Sequence, residues 1–197
     1  MLINRLQSGK VALLQNKPVT MDLLMSVNTK EGTFSLPKTS FKLAKIPFTV
    51  SGDYGVDSMR FDVKAEALTL TDLVNNLSLD EAEKELSRYK GSGNVGFDLL
   101  VYGSTQNQSA PKIACNFNIS NGHLIEPVKH TQIKNLRMKG SFISDGNPVN
   151  DHLIMDHLAF ETPVGPFYGA LDILNFNIPR VTGKAKGTID LSIANRI

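Results

Sequence analysis

The end of the chain constrains the fold most. Val181, Gly183, Ala185, Gly187, Ile189, Leu191 and Ile193 share one register, and Thr182, Lys184, Lys186, Thr188, Asp190 and Ser192 share the other. Alternation of this kind describes a strand with one apolar and one wet face. Unbroken, the run would span roughly 40 Å at about 3.3 Å per residue, twice the length of a usual strand.

The same period recurs upstream. Val19, Met21, Leu23, Met25 and Val27 alternate with Thr20, Asp22 and Ser26. Met59, Phe61, Val63 and Ala65 alternate with Arg60, Asp62, Lys64 and Glu66, and Ile113, Cys115, Phe117 and Ile119 with Ala114, Asn116, Asn118 and Ser120. One apolar and one polar face per strand is the antiparallel signature. The sequence therefore predicts a mostly β protein, its long antiparallel strands forming a curved, elongated sheet or groove.

One segment breaks the period. Ser78-Leu79-Asp80-Glu81 has the form of a capping box, Ala82, Leu86 and Tyr89 follow at helical spacing, and Gly91 supplies a stop. Leu70 to Leu77 could form a shorter helical turn before it. Residues 70–90 then read as a helical plug within a single 1–197 unit. Turns are predicted at Ser51–Gly55, Ser120–Gly122, Asp145–Pro148 and Thr162–Pro166, with a polar loop from Gly103 to Pro111. Gly-x-apolar-x-apolar recurs at Gly93, Gly169 and Gly187, with a degenerate copy at Gly140. Its spacing is irregular, so it marks bends or crowding in long strands rather than a solenoid repeat.

Little chemistry is legible. With 21 basic and 19 acidic residues and no basic cluster, nothing favours a nucleic-acid partner. The lone cysteine, Cys115, allows no intrachain disulfide and falls on an apolar register. Asp151-His152 and Asp156-His157 suggest metal ligands, but five residues apart on a regular strand the histidines face opposite ways. His123 and His130 flank a turn-like stretch and read as solvated. Gly91-Ser92-Gly93-Asn94-Val95-Gly96 matches a nucleotide motif by letter, yet it follows a helix and opens a strand, the reverse of a phosphate cradle. The acidic run Asp80–Glu85 reads as the wet face of a helix. We expect no catalytic residue, metal or cofactor.

Three stretches together resemble the AsmA-like family of bacterial envelope proteins. One is Phe61-Asp62-Val63-Lys64-Ala65 through Leu73, a strand leading into a helical plug. The second runs from Pro111 to Leu124 and continues at Ile133–Gly140. The third runs from Phe167-Tyr168-Gly169 through Ile178-Pro179 to Leu191. The resemblance covers Phe41 to the C-terminus. It implies a periplasmic β region of the bridge-like lipid transfer type, supporting outer-membrane biogenesis, with no catalytic residues to carry over. It also implies an inner-membrane anchor. None is recognisable here, and the strand pattern runs to the chain's end, so the chain reads as a segment of a longer polypeptide that would be its partner.

On that reading the ligand is phospholipid or another acyl lipid. The lipid-facing candidates are Phe61, Val63, Phe117, Ile119, Val181, Ala185, Ile189, Leu191 and Ile193. Two alternatives stay open: a closed sandwich core with no lipid, and a scaffold that pairs through its sheet edges.

Overall fold

A computed structural model describes residues 2–8, 11–21, 25–43, 46–71, 90–106, 110–126 and 131–188. Twelve strands run in chain order: β1 Leu2–Ser8, β2 Val11–Met21, β3 Ser26–Asn28, β4 Thr33–Leu43, β5 Ile46–Tyr54, β6 Ser58–Thr69, β7 Lys90–Ser104, β8 Lys112–Glu126, β9 Thr131–Ser144, β10 His152–Thr162, β11 Gly165–Leu174 and β12 Arg180–Gly187. Each pairs antiparallel with its sequence neighbour, except that β2 passes to β4 and β3 lies beside β4. The result is one meandering sheet, and among the described residues its first and last strands are not paired, so it is not closed.

The predicted class is therefore the observed one, a mostly β chain with long antiparallel strands. β7 and β8 reach 15 residues each, well beyond the usual 5–6. Connections at the β5–β6, β9–β10, β10–β11 and β11–β12 ends are short, which fixes each register locally.

Several sequence expectations change. Ser51–Tyr54 belongs to β5, and the turn lies at Gly55–Asp57, where the Gly55 amide donates to the Ser58 carbonyl at 2.8 Å. Ser120–Gly122 is not a turn but lies inside β8, where Asn121 takes φ +52° in a β-bulge. Asparagine tolerates this left-handed backbone, so a turn-like tripeptide can sit inside a ladder. The Leu124–Val128 stretch begins as strand, since β8 runs to Glu126. The Asp145–Pro148 and Thr162–Pro166 connections lie where the sequence placed them, between β9 and β10 and between β10 and β11. Leu70 and Thr71 enter a helical turn, whereas the rest of the plug, including Ser78–Tyr89, lies outside the described residues.

The bulges fix which side chains share a face. β6 carries one between Ala65 and Leu68, β9 one at Asn135 (φ +54°), and β10 one between Met155 and Leu158. Each inserts one residue, increases the local twist and resets the alternation.

Among the described residues the buried core is small. Ile46, Ala65, Leu68, Leu70 and Val95 cluster where the helical turn folds against β5, β6 and β7, with Phe48, Phe97, Ile119 and Leu124 packed around them. The chain's accessible surface is 13252 Å², against roughly 9,200 Å² for a compact monomer of 21.6 kDa. Among the described residues the sheet is a single open layer, in which most side chains have neighbours in the sheet and nothing above them.

Candidate functional site

Following the ladder pairings from strand to strand shows what the two faces carry. Val50, Val63, Leu99, Cys115, Phe142, Leu153, Ile173 and Val181 are successive cross-strand partners, one per strand from β5 to β12. Two positions along, a second row runs Ala65, Phe97, Phe117, Gly140, Met155, Leu171 and Gly183. A third runs Leu68, Val95, Ile119, Met138, Leu158, Gly169 and Ala185. No charged side chain occurs in these three rows.

Phenylalanine collects on this side of the sheet. Phe34, Phe41, Phe48, Phe61, Phe97, Phe117, Phe142, Phe160 and Phe167 are nine of the ten in the chain, and all lie on strands in the apolar register. They meet across strands: Phe41 with Phe48 at 5.1 Å between ring centroids, Phe48 with Phe97 at 5.8 Å and Phe160 with Phe167 at 4.7 Å. The tenth, Phe176, lies in the β11–β12 loop and packs edge-on against Phe142 at 5.7 Å.

The opposite face is mixed: it carries charged and polar side chains, but one of its rows, Asp62, Leu100, Ala114, Ile143, His152, Leu174 and Arg180, is more than half apolar. Lys64, Asp98, Asn116, Ser141, Ile154, Asp172 and Thr182 form another. Lys64 Nζ lies 3.1 Å from Asp98 Oδ1 on the next strand, with both side chains about half exposed. Such a pair contributes little stability and chiefly keeps that row wet.

Six of the nine lipid-facing candidates come together on the apolar face. Phe61, Val63, Phe117, Ile119, Val181 and Ala185 all lie there by register. Ile189, Leu191 and Ile193 lie outside the described residues. Ala185 differs from expectation in one respect. It sits on the outermost described strand, β12, every residue of which is exposed, so no apolar interior surrounds it.

Sequence reading missed much of the face. Leu99-Leu100-Val101 is apolar throughout, so its phase is invisible until β6 and β8 fix it. Leu158 is reset onto the face by the β10 bulge. No local signal marks that bulge beyond two adjacent polar residues, Asp156 and His157.

The longest apolar row is reachable among the described residues, while the β6 and β7 ends of the other two lie in the buried core. In the eight-strand row every residue from Val50 to Ile173 is half-buried and Val181 is 61% exposed. In a closed sandwich such residues would be buried between two layers. Among the described residues no second layer lies over them.

Cys115 sits in the same row between Leu99 and Phe142. Partial burial, and then the charge of Asp98, push its thiol pKa up, so the thiol stays protonated and is a poor nucleophile.

The Asp–His pairs also need correction. The single-residue bulge in β10 cancels the odd spacing, so His152 and His157 lie on the same, mixed face, opposite Ile143 and Lys139. Four residues separate those partners, roughly 13 Å along the strand, so the rings do not converge. His152 instead pairs with Asp172 across β10 and β11, Nε2 to Oδ1 at 3.0 Å. Asp156 and His157 are exposed, and among the described residues no three potential metal ligands gather. His123, expected to be solvated, is half-buried on β8, and its Nε2 has no hydrogen-bond partner.

Among the described residues the site is thus a surface rather than a pocket. Its rows offer dispersion and hydrophobic contact over several strands, and their one titratable group is the Cys115 thiol. No family model, curated protein or solved structure gives a significant match to this chain.

Proposed function

We propose that the chain is a β-groove segment of an AsmA-like envelope protein, periplasmic and joined to an inner-membrane anchor elsewhere in the polypeptide. Its apolar face would shield or conduct acyl chains between envelope membranes, in support of outer-membrane biogenesis. One observation carries the reading: an uncharged apolar row, set in a phenylalanine-rich face, that continues over eight strands with no second layer over it among the described residues.

Eight strands at about 4.8 Å spacing make that row roughly 34 Å wide, longer than an extended acyl chain of a common phospholipid. Each methylene moved from water onto it gains up to about 0.8 kcal/mol. The rows contain no fixed charge, so head groups would stay in solvent and add little selectivity.

Leu153 and Ile154 supply a matched test. They are adjacent, apolar and half-buried, but Leu153 joins the apolar row and Ile154 faces Ser141 and Asp172. Protein purified from bacterial cells should retain phospholipid in native mass spectra. Leu153→Lys should remove most of it, and Ile154→Lys should not. Equal retention in both variants, or lipid-free parent protein, favours the scaffold reading instead.

A further inference from the structure

The β9–β10 and β11–β12 loops meet at one rim of the sheet. The Phe176 amide donates to the Pro148 carbonyl at 2.8 Å, and the Asn175 amide donates to the Asp151 carbonyl at 2.9 Å. Each loop is also held from within. Asn147 Oδ1 accepts from the Val149 amide, and Asn175 Oδ1 from the amides of Asn177 and Ile178. Two braced loops therefore hold large apolar side chains out in water: Ile178 is 71% exposed, Val149 48% and Phe176 43%. Braced loops that keep such groups exposed mark a contact surface more than a lapse in packing.

We infer that this rim is a docking lip for the surface of a lipid bilayer. Three features select that occupant. Phe176 packs on Phe142, so the exposed lip is continuous with the apolar rows. The lip offers only a few apolar side chains, well short of the roughly 800 Å² per partner that a stable protein interface needs. Shallow insertion among lipid head groups needs no such area. Finally, residues 145–151 and 175–179 contain two aspartates and no lysine or arginine, with Arg180 following at the start of β12, so the loops themselves attach by insertion rather than by attraction to anionic lipid. The inference takes its purpose from the acyl-chain reading: lipid would pass between bilayer and sheet beside Phe176.

Flotation with vesicles of pure, neutral phosphatidylcholine tests it. The protein should float with the vesicles equally at low and high salt. Val149→Ser combined with Ile178→Ser should reduce the floated fraction at least about tenfold with an unchanged melting temperature, since both side chains are exposed. Tyr168→Ser removes a comparably exposed ring, 49% accessible, from the mixed face and should leave flotation intact. The lip is overturned by a protein that ignores neutral vesicles, by flotation only on anionic vesicles with loss in salt, by equal loss in Tyr168→Ser, or by a dimer that the double substitution dissolves. These failures leave lipid retention in native mass spectra untouched. Loss of that retention with flotation intact removes the acyl-chain reading alone.

Discussion

The ring of Phe117 lies over Gly140, its direct partner across the β8–β9 ladder: a Cβ built on Gly140 would meet Phe117 Cζ at 2.6 Å and would crowd the Ile154 carbonyl. The same arrangement recurs with Phe61 over Gly52 and Phe167 over Gly187, each a directly opposed pair. These glycines are not hinges. They let a large side chain lie against the neighbouring backbone, which lowers the relief of the apolar face and covers backbone that a small residue would leave bare.

Gly140→Ala should therefore destabilise the protein by about 1–3 kcal/mol, because backbone as well as a ring must shift. Gly55→Ala is the control. It lies in the β5–β6 turn with its nearest new contact at 3.5 Å, and should change stability by less than about 1 kcal/mol. Urea unfolding of both variants checks the pair. Equal costs would contradict the packing account.

Cys115 should alkylate more slowly than a free thiol at pH 8, and faster as pH rises, because burial and Asp98 disfavour the thiolate. Asp98→Asn removes the second cause and should quicken the reaction modestly while costing at most about 1 kcal/mol of stability, the Lys64–Asp98 pair being exposed. A reaction as fast as that of a free cysteine would show that the thiol is not embedded in the apolar row.

Asp145 lies at the base of the lip. The Asn150 side-chain amide, and then the Asn147 backbone amide, hold its carboxyl below the ordinary aspartate value. A depressed folded value means that the interaction contributes above the unfolded pKa and is lost as pH falls through the folded one. Asn150→Ala should raise the Asp145 value toward that of a free carboxylate in an NMR titration. An unmoved titration would show that Asn150 does not hold it.

How far the sequence could be read follows from where strand registers are set. Ile113, Cys115, Phe117 and Ile119 announce their face because their alternation is unbroken. Phe61 and Val63 do the same, and Val181 and Ala185 join the same rows. Leu99, Leu153 and Leu158 are silent. Their faces depend on cross-strand pairing and on a bulge at Asp156–His157, and a bulge is a property of two strands together. The same bulge defeats the spacing argument about His152 and His157. The glycine recurrence was visible, but its reason was not: Gly140 and Gly187 matter through rings far away in sequence, Phe117 and Phe167. Exposure is the hardest to read, since Ala185 has an apolar register and yet is exposed on the outermost described strand.

The central claim is that acyl chains occupy one face of the sheet. A phospholipid carrying a photoreactive group in its acyl chain, irradiated with the protein and mapped by peptide mass spectrometry, tests it directly. Adducts should fall on Leu99, Cys115, Phe142, Leu153 and Ile173, and Asn116, Ser141 and Thr182 on the opposite face should remain unmodified. Adducts spread evenly over both faces, or none above a lipid lacking the photoreactive group, would contradict the account.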